Sequence, residues 1–414
     1  MKTGRRYAVR AAIINPAGPG RIDFIRDGEL VFDRDGAVVH CGRRRTWRPP
    51  PSRLALPRGA LVIPGLIDCH THLSQYHVRG RTGHTLMHWL SSYVFPAEAA
   101  FRDRAYARRV ADGFFGKLLS NGVTTAALYA NYPAGAEEAV DAAERSGIRA
   151  VVGLTLMDRG VPRPLRQRPE QALEECRRLA EKIGKGRTGR LWLSVNPRFA
   201  PACSGKFMAM IGRFVRESGA YVQTHLSENE GETALVGRMF PGISSYAGVY
   251  DRFGLLTPKT LLAHCIHLSP AERRLVLKRG CSVVHCPSSN LFLHSGRFPM
   301  EHWRKYPKLC LGTDVGAGPS FSMLDAMRDA YFVNREPPER LFYCATMGAA
   351  RALGLENRMG SLRPGKQADF SVVTVGENSG RNGRELLSDL IFKWDQVRFH
   401  QVFVGGRMVW PEKL

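Results

Sequence analysis

The chain has 414 residues, 44% of them hydrophobic, which is enough for one large domain, alone or beside a small one. Its formal charge is +23, from 60 basic and 37 acidic residues, and its nine cysteines include no C-x-x-C pair. No run approaches the ~18–20 apolar residues of a membrane helix, the opening residues lack a signal-peptide core, and an odd, scattered cysteine set argues against a disulfide framework or a cysteine-rich zinc site. The expectation is a cytoplasmic protein with no membrane partner.

Residues 1–60 read as short alternating segments, YAVRAAII and GELVFDRDGAVVHCG, with Gly and Asp turns between them. The run GRRRTWR at 42–48 has no nucleic-acid motif beside it. Specific nucleic-acid binding is therefore not expected, although the net charge attracts anionic partners in general. From residue 61 the texture changes. Apolar runs occur at ALVIPGLIDCH, GVTTAALYA, IRAVVGLTL, LWLSVNPRF, AYVQTHLSE, TLLAHCIHL, CSVVHCPSSN and LCLGTDVGAG. Helical patterns such as PEQALEECRRLAEKI and SPAERRLVLKRG lie between them. Eight strands alternating with helices predict an α/β fold, a TIM-like (β/α)8 barrel, over 61–362. The strand-like tail after 362 predicts a small β-sandwich module built from both chain termini, residues 1–60 and 363–414.

In such barrels the site lies at the C-terminal ends of the strands. Strand 1 ends in His70 and His72, which share a face because side chains alternate along a strand. Strand 5 ends in His225, strand 6 in His264 and strand 8 in Asp314. Four imidazoles and a carboxylate converging on one mouth suit zinc or a similar borderline metal. No lysine or carboxylate closes strand 3 or 4 to bridge a second ion, so the expectation is one Zn2+ per chain, with iron as the other possibility. His267 lies three residues past His264 and faces away on a regular strand. His285 ends strand 7 and suits a partner that orients a ligand. Cys69 and Cys265 adjoin histidines and should face away from them as buried fillers. Glu228 follows His225 by three residues and can carry protons for metal-activated water; read alone it would be an acid at a helix start. Asp314 can both bind metal and accept a hydrogen bond from that water.

The motifs PGLIDCHTH, THLSE, AHC and GTD resemble those of the amidohydrolase superfamily of metal-dependent hydrolases. The wider set HTHLSQY, HWLSSYVFPAE, NGVTTA, NPRFAPACS, THLSENEGE, HCPSSNLFL, GTDVGAGPSFSML and PGKQADF is similar to the guanine deaminase family within it, over about residues 61–370. That resemblance implies hydrolysis of guanine to xanthine and ammonia, one zinc, and a homodimer. It implies His70, His72, His225, His264 and Asp314 as metal ligands and Glu228 as proton shuttle. Gln75, Arg198 and Phe199 then contact the purine. Their chemistry agrees: an amide that donates and accepts, a planar fork, and a ring face, with Trp89 a further ring near the same place. The chain departs from the family at YANYPAG, with Tyr132 where a histidine is common, at His88 in place of a glutamate, and at KWDQVRF. The alternatives are a related aminopurine, pterin or triazine hydrolase, and, more remotely, a catalytically silent barrel.

Overall fold

The computed structural model describes residues 5–82, 86–186, 188–376 and 380–411. Contacts divide the chain into two compact units. One takes the residues up to Asp68, Gly116–Thr125 and those from Ser322 onward; the other is Cys69–Phe115 with Ala126–Phe321.

The first unit carries a sheet drawn from both chain ends. Its strands are β1 (Arg6–Gly18), β2 (Arg21–Asp33), β3 (Val38–Arg43), β4 (Ser52–Arg53) and β5 (Leu61–Pro64), followed much later in the chain by β14 (Phe370–Val375), β15 (Val397–Val404) and β16 (Arg407–Trp410). Their order is β16-β15-β14-β5-β1-β2-β3, with β4 on β1. The long β1–β2 pair is antiparallel and changes register between Ala11 and Ile13 and between Pro16 and Gly18. Such irregularities bend a long strand without breaking its ladder. Val9, Ile13, Leu30, Phe32, Val62, Phe370 and Phe403 form its core. The Phe370 and Phe403 rings stack 4.4 Å apart, the offset or parallel contact aromatic pairs favour. Trp47 and Arg45 of the basic run donate to the fully buried Glu29 carboxylate.

The eight remaining strands run β6 (Leu66–His72), β7 (Val123–Ala130), β8 (Arg149–Leu156), β9 (Leu191–Pro197), β10 (Tyr221–Leu226), β11 (Thr260–His264), β12 (Ser282–His285) and β13 (Leu309–Leu311). They neighbour one another in chain order, and the pairs from β8 through β13 are parallel. Parallel strands covered on both faces need continuous apolar runs, which is how these segments read. Every residue of β6, β7 and β8 is buried. The ring closes beyond β13: Asp314 N–H donates to the His70 carbonyl (2.8 Å) and His72 N–H to the Val315 carbonyl (2.9 Å). Closure requires Gly312, because a Cβ there would stand 2.7 Å from His70 Cβ. This is the expected (β/α)8 barrel.

Candidate metal centre and substrate cavity

Strand alternation sets His70 and His72 side by side, with their Nε2 atoms 3.2 Å apart. Asp314 Oδ1 lies 3.3 Å from His70 Nε2 and 3.1 Å from His72 Nε2. The His225 ring centroid is 4.9 Å from that of His70 and 5.4 Å from that of His264. His70, His72, His225 and Asp314 bring one ligand atom each within 4.8 Å of one another. His264 Nε2 lies 3.9 Å from Asp314 Oδ2. All five residues are buried.

Partners on the far side of the rings orient two of them. His225 Nδ1 donates to the Arg198 carbonyl at 2.6 Å, and His264 Nδ1 to Asn290 Oδ1 at 2.9 Å. That leaves each Nε2 lone pair directed inward, as a metal ligand requires. His264 Nε2 is buried and has no hydrogen-bond partner among the described residues. A buried polar atom left so is costly unless something binds it. Burial pushes the His72 imidazole down to about 4, against the pull of Asp314, and pushes His225 well below its ordinary value, with the neighbouring histidines adding to it. Both rings are therefore neutral donors. Burial would raise the Asp314 carboxyl, but hydrogen bonds from His70 and His72 outweigh it and hold it well below its usual range. Neutral imidazoles and one carboxylate fit a borderline divalent ion.

The backbone carries strain here. Ser227, His264, Cys265 and Asp314 all take positive φ, between 49° and 69°. Non-glycine residues adopt that region rarely and at a cost that surrounding structure must offset. Of these four, His264 and Asp314 line the cavity at the barrel mouth.

One cavity is lined by His72, His225, His264 and Asp314 together with Glu228, Gln75, Arg198, Phe199, Trp89 and Leu90. Every site residue expected from the sequence except His70 lines it, and His70 lies directly behind in the donor cluster. Glu228 Oε2 is 3.7 Å from His264 Nε2, and its Oε1 accepts from Ser295 Oγ at 3.4 Å. Burial, then the like charge of Asp314, pushes its carboxyl up to about 8. The helix that follows, Glu230–Met239, is capped by Asn229 and Glu232 in a reciprocal box. Glu232 Oε2 accepts the backbone N–H of Glu228 (3.0 Å), so the helix start is satisfied without the Glu228 side chain.

The remaining expectations separate cleanly. His267 is partly exposed and donates to the Ser295 carbonyl at 2.8 Å, bracing the residue that touches Glu228. His285 stacks on Phe298 and sits 3.5 Å from Asn290 Nδ2, one step behind His264. Cys69 and Cys265 are fully buried. Trp89 Nε1 donates to the Arg81 carbonyl at 2.8 Å while its ring lines the cavity. Tyr132 bonds the Pro164 carbonyl and lines a neighbouring cavity instead, and His88 is exposed.

Three residues escaped the sequence reading. Cys286 approaches His264 and Asp314, its sulfur within 4.8 Å of their ligand atoms. Ser295 lies in a loop with no periodic signal. Glu98 is fully buried and bonds Arg198, Gln75 and Asn131. Its signal was a lone acid in the otherwise apolar stretch YVFPAEAAF.

A family model described as "Amidohydrolase family" matches residues 61–409. The guanine deaminase of Escherichia coli K12 is 35% identical over 406 residues, covering 94% of this chain and 92% of its own. The guanine deaminase of Homo sapiens is 33% identical over 439 residues, covering 98% of this chain and 97% of its own. The crystal structure of guanine deaminase from C. acetobutylicum with bound guanine superposes with a TM-score of 0.89 at 27% identity, over 98% of this chain and all of that one. With a matching barrel, a matching model across most of the sequence and full-length relatives, the chain belongs to the amidohydrolase family.

Proposed function

We propose that this protein is a hydrolase that converts guanine and water to xanthine and ammonia, with one zinc ion per chain. The carrying observation is that the donor cluster, Glu228 and the triad Gln75, Arg198 and Phe199 all open on a single cavity. The full-length likeness to guanine deaminases supports the choice of substrate.

His70, His72, His225, His264 and Asp314 would hold the ion; a nitrogen-rich set favours zinc, with iron the other candidate. When bound, such an ion supplies Lewis-acid activation and lowers the pKa of water toward ~7. Glu228 is placed to take a proton and deliver it to the departing nitrogen, and its dry surroundings let it hold that proton near neutrality. Asp314 is placed to accept a hydrogen bond from the attacking water. Arg198 and Gln75 offer donors and an acceptor to the carbonyl-bearing edge of the purine, while Phe199 and Trp89 border the ring. The reaction breaks the C2–amino bond and leaves a carbonyl at C2. The assembly we propose is a cytoplasmic homodimer. No helix among the described residues is long and apolar enough to cross a membrane.

Ammonia release from guanine, adenine, cytosine and a pterin tests the reading. Guanine should be turned over and adenine and cytosine poorly, because a site built to bond one edge rejects a mismatched analogue by on the order of 10⁴–10⁵; a pterin carries the same amino and carbonyl edge and tests the rest of the cavity. Turnover of a pterin or another aminopurine with none of guanine would replace the substrate and keep the metal chemistry.

A further inference from the structure

Glu98 sits on the short helix Phe95–Ala99, far from the strand ends in sequence, and its side chain is fully buried. Arg198 Nη1 donates to both of its oxygens, at 2.6 and 2.8 Å. Gln75 Nε2 donates to Oε1 at 3.2 Å, and Asn131 Nδ2 to Oε2 at 3.1 Å. Four N–H contacts occupy a carboxylate that offers about four acceptor sites. The donors come from three places: the turn after β6, the end of β7 and the end of β9.

These contacts restrict what the cavity can present. Gln75 Nε2 is committed to Glu98, and Gln75 Oε1 accepts from Gly316 N–H at 3.4 Å, so both ends of the amide have fixed partners and it cannot rotate half a turn without losing both. Arg198 is held by one nitrogen, and its Nε and Nη2 have no hydrogen-bond partner among the described residues. Both oxygens of Glu98 anchor that one nitrogen, and the Phe95 ring centroid stands 5.6 Å from the guanidinium carbon, so the buried cation is held in direction by its partner and its packing. Neither Glu98 nor Asn131 lines the substrate cavity itself.

We infer that Glu98 is a positioning residue that sets substrate specificity, by locking Arg198 and Gln75 as a fixed pattern of donors and one acceptor that accepts a carbonyl beside the reacting ring edge and rejects an amine there. The inference rests on the proposed guanine reading. Glu98 touches no reacting atom; it acts through the two residues it holds. Without its carboxylate the Gln75 amide can turn over and Arg198 can swing, so an analogue with an amine in place of the carbonyl finds an acceptor.

The test compares guanine with 2,6-diaminopurine, which keeps the reacting 2-amino group and replaces the 6-carbonyl by an amine. The wild-type holoenzyme, Glu98→Gln and Asn131→Ala are assayed for kcat and KM on both, with metal content and thermal unfolding as controls. Glu98→Gln should lower kcat/KM on guanine by about 10²-fold or more, and the guanine to diaminopurine ratio should fall at least tenfold, the lost polar match being the source of discrimination. Asn131→Ala removes one contact to Glu98 and leaves the charge pair, so it should shift the ratio in the same direction by less; it carries the test if Glu98→Gln does not fold. A merely structural role would lower both substrates together, and an unchanged ratio in a folded, metal-loaded variant overturns the inference while leaving the guanine reading intact. A wild-type enzyme inactive on guanine would end both, and that arm is read before any variant.

Discussion

Glu228 and Glu232 stand four residues apart in SENEGE, and a sequence cannot say which of them caps the helix and which faces the chemistry. The structure divides the work. Glu232 receives the backbone N–H groups of Glu228 and Asn229 and the Tyr246 hydroxyl, while Glu228 turns to the cavity. Glu228→Gln should therefore keep fold and metal and lose about 10²–10⁴-fold in turnover, since an amide bonds but does not shuttle protons. Steady-state rates with elemental analysis of the same preparation check it, and near-normal turnover would leave Glu228 without the proposed role. Glu98 shows the opposite case, a residue whose energetic weight exceeds its visibility in sequence. Its pairing with Arg198 is buried on both sides. Glu98→Ala leaves that cation uncompensated and should cost about 3–5 kcal/mol of stability by denaturant unfolding. A loss within ~1 kcal/mol, the range of an exposed pair, would mean the pair is solvated.

At the scale of elements, the strand ends were legible because alternation and barrel topology are strict: an H-x-H on an apolar strand can point only one way. The segment between β6 and β7 was not legible. Its helix passes through a wide turn at Leu90–Val94 and then meets Pro96, so no single period persists across HWLSSYVFPAE. Both Trp89 and Glu98 lie there; Trp89 was legible only as a further aromatic ring, and Glu98 was missed. Tyr132 packs against the apolar cluster of Trp89, Leu90 and Phe199 that borders the substrate cavity, while its hydroxyl bonds the Pro164 carbonyl and it lines the neighbouring cavity. Helix packing gives a prediction of its own. Gly212 lies inside the helix Gly205–Ser218, where alanine would gain about 1 kcal/mol of helix propensity. A Cβ there would stand 1.9 Å from the Phe253 carbonyl oxygen, so the backbones must part. Overpacking costs roughly 1–3 kcal/mol, and Gly212→Ala should be net destabilising in a thermal melt. A raised melting temperature would show that the contact yields easily.

For the molecule as a whole, the fold class and the metal-binding constellation followed from the sequence, but the surface charge did not explain itself. The segment at 42–48 is tied down by the Trp47 indole and the Arg45 backbone N–H, which donate to the buried Glu29, while the charge of Glu29 is met by Arg10, outside that run. The donor cluster links the site to stability. Buried imidazoles packed with the Asp314 and Glu228 carboxylates, His264 Nε2 among them without a hydrogen-bond partner among the described residues, form an interior that ion binding would stabilise. Free ion at about 100 times its Kd stabilises a folded state by about 2.7 kcal/mol, so chelation should lower the unfolding temperature and zinc should restore it. An unchanged melt would mean that no ion binds the native state. The same ion is central to the activity. The most direct measurement is product analysis on guanine, using protein assayed to carry one metal per chain. The account predicts one xanthine and one ammonia per guanine consumed, abolished together by chelation and by His225→Ala. Guanine left intact by metal-loaded protein, or consumed at an undiminished rate after the metal is removed, would contradict it.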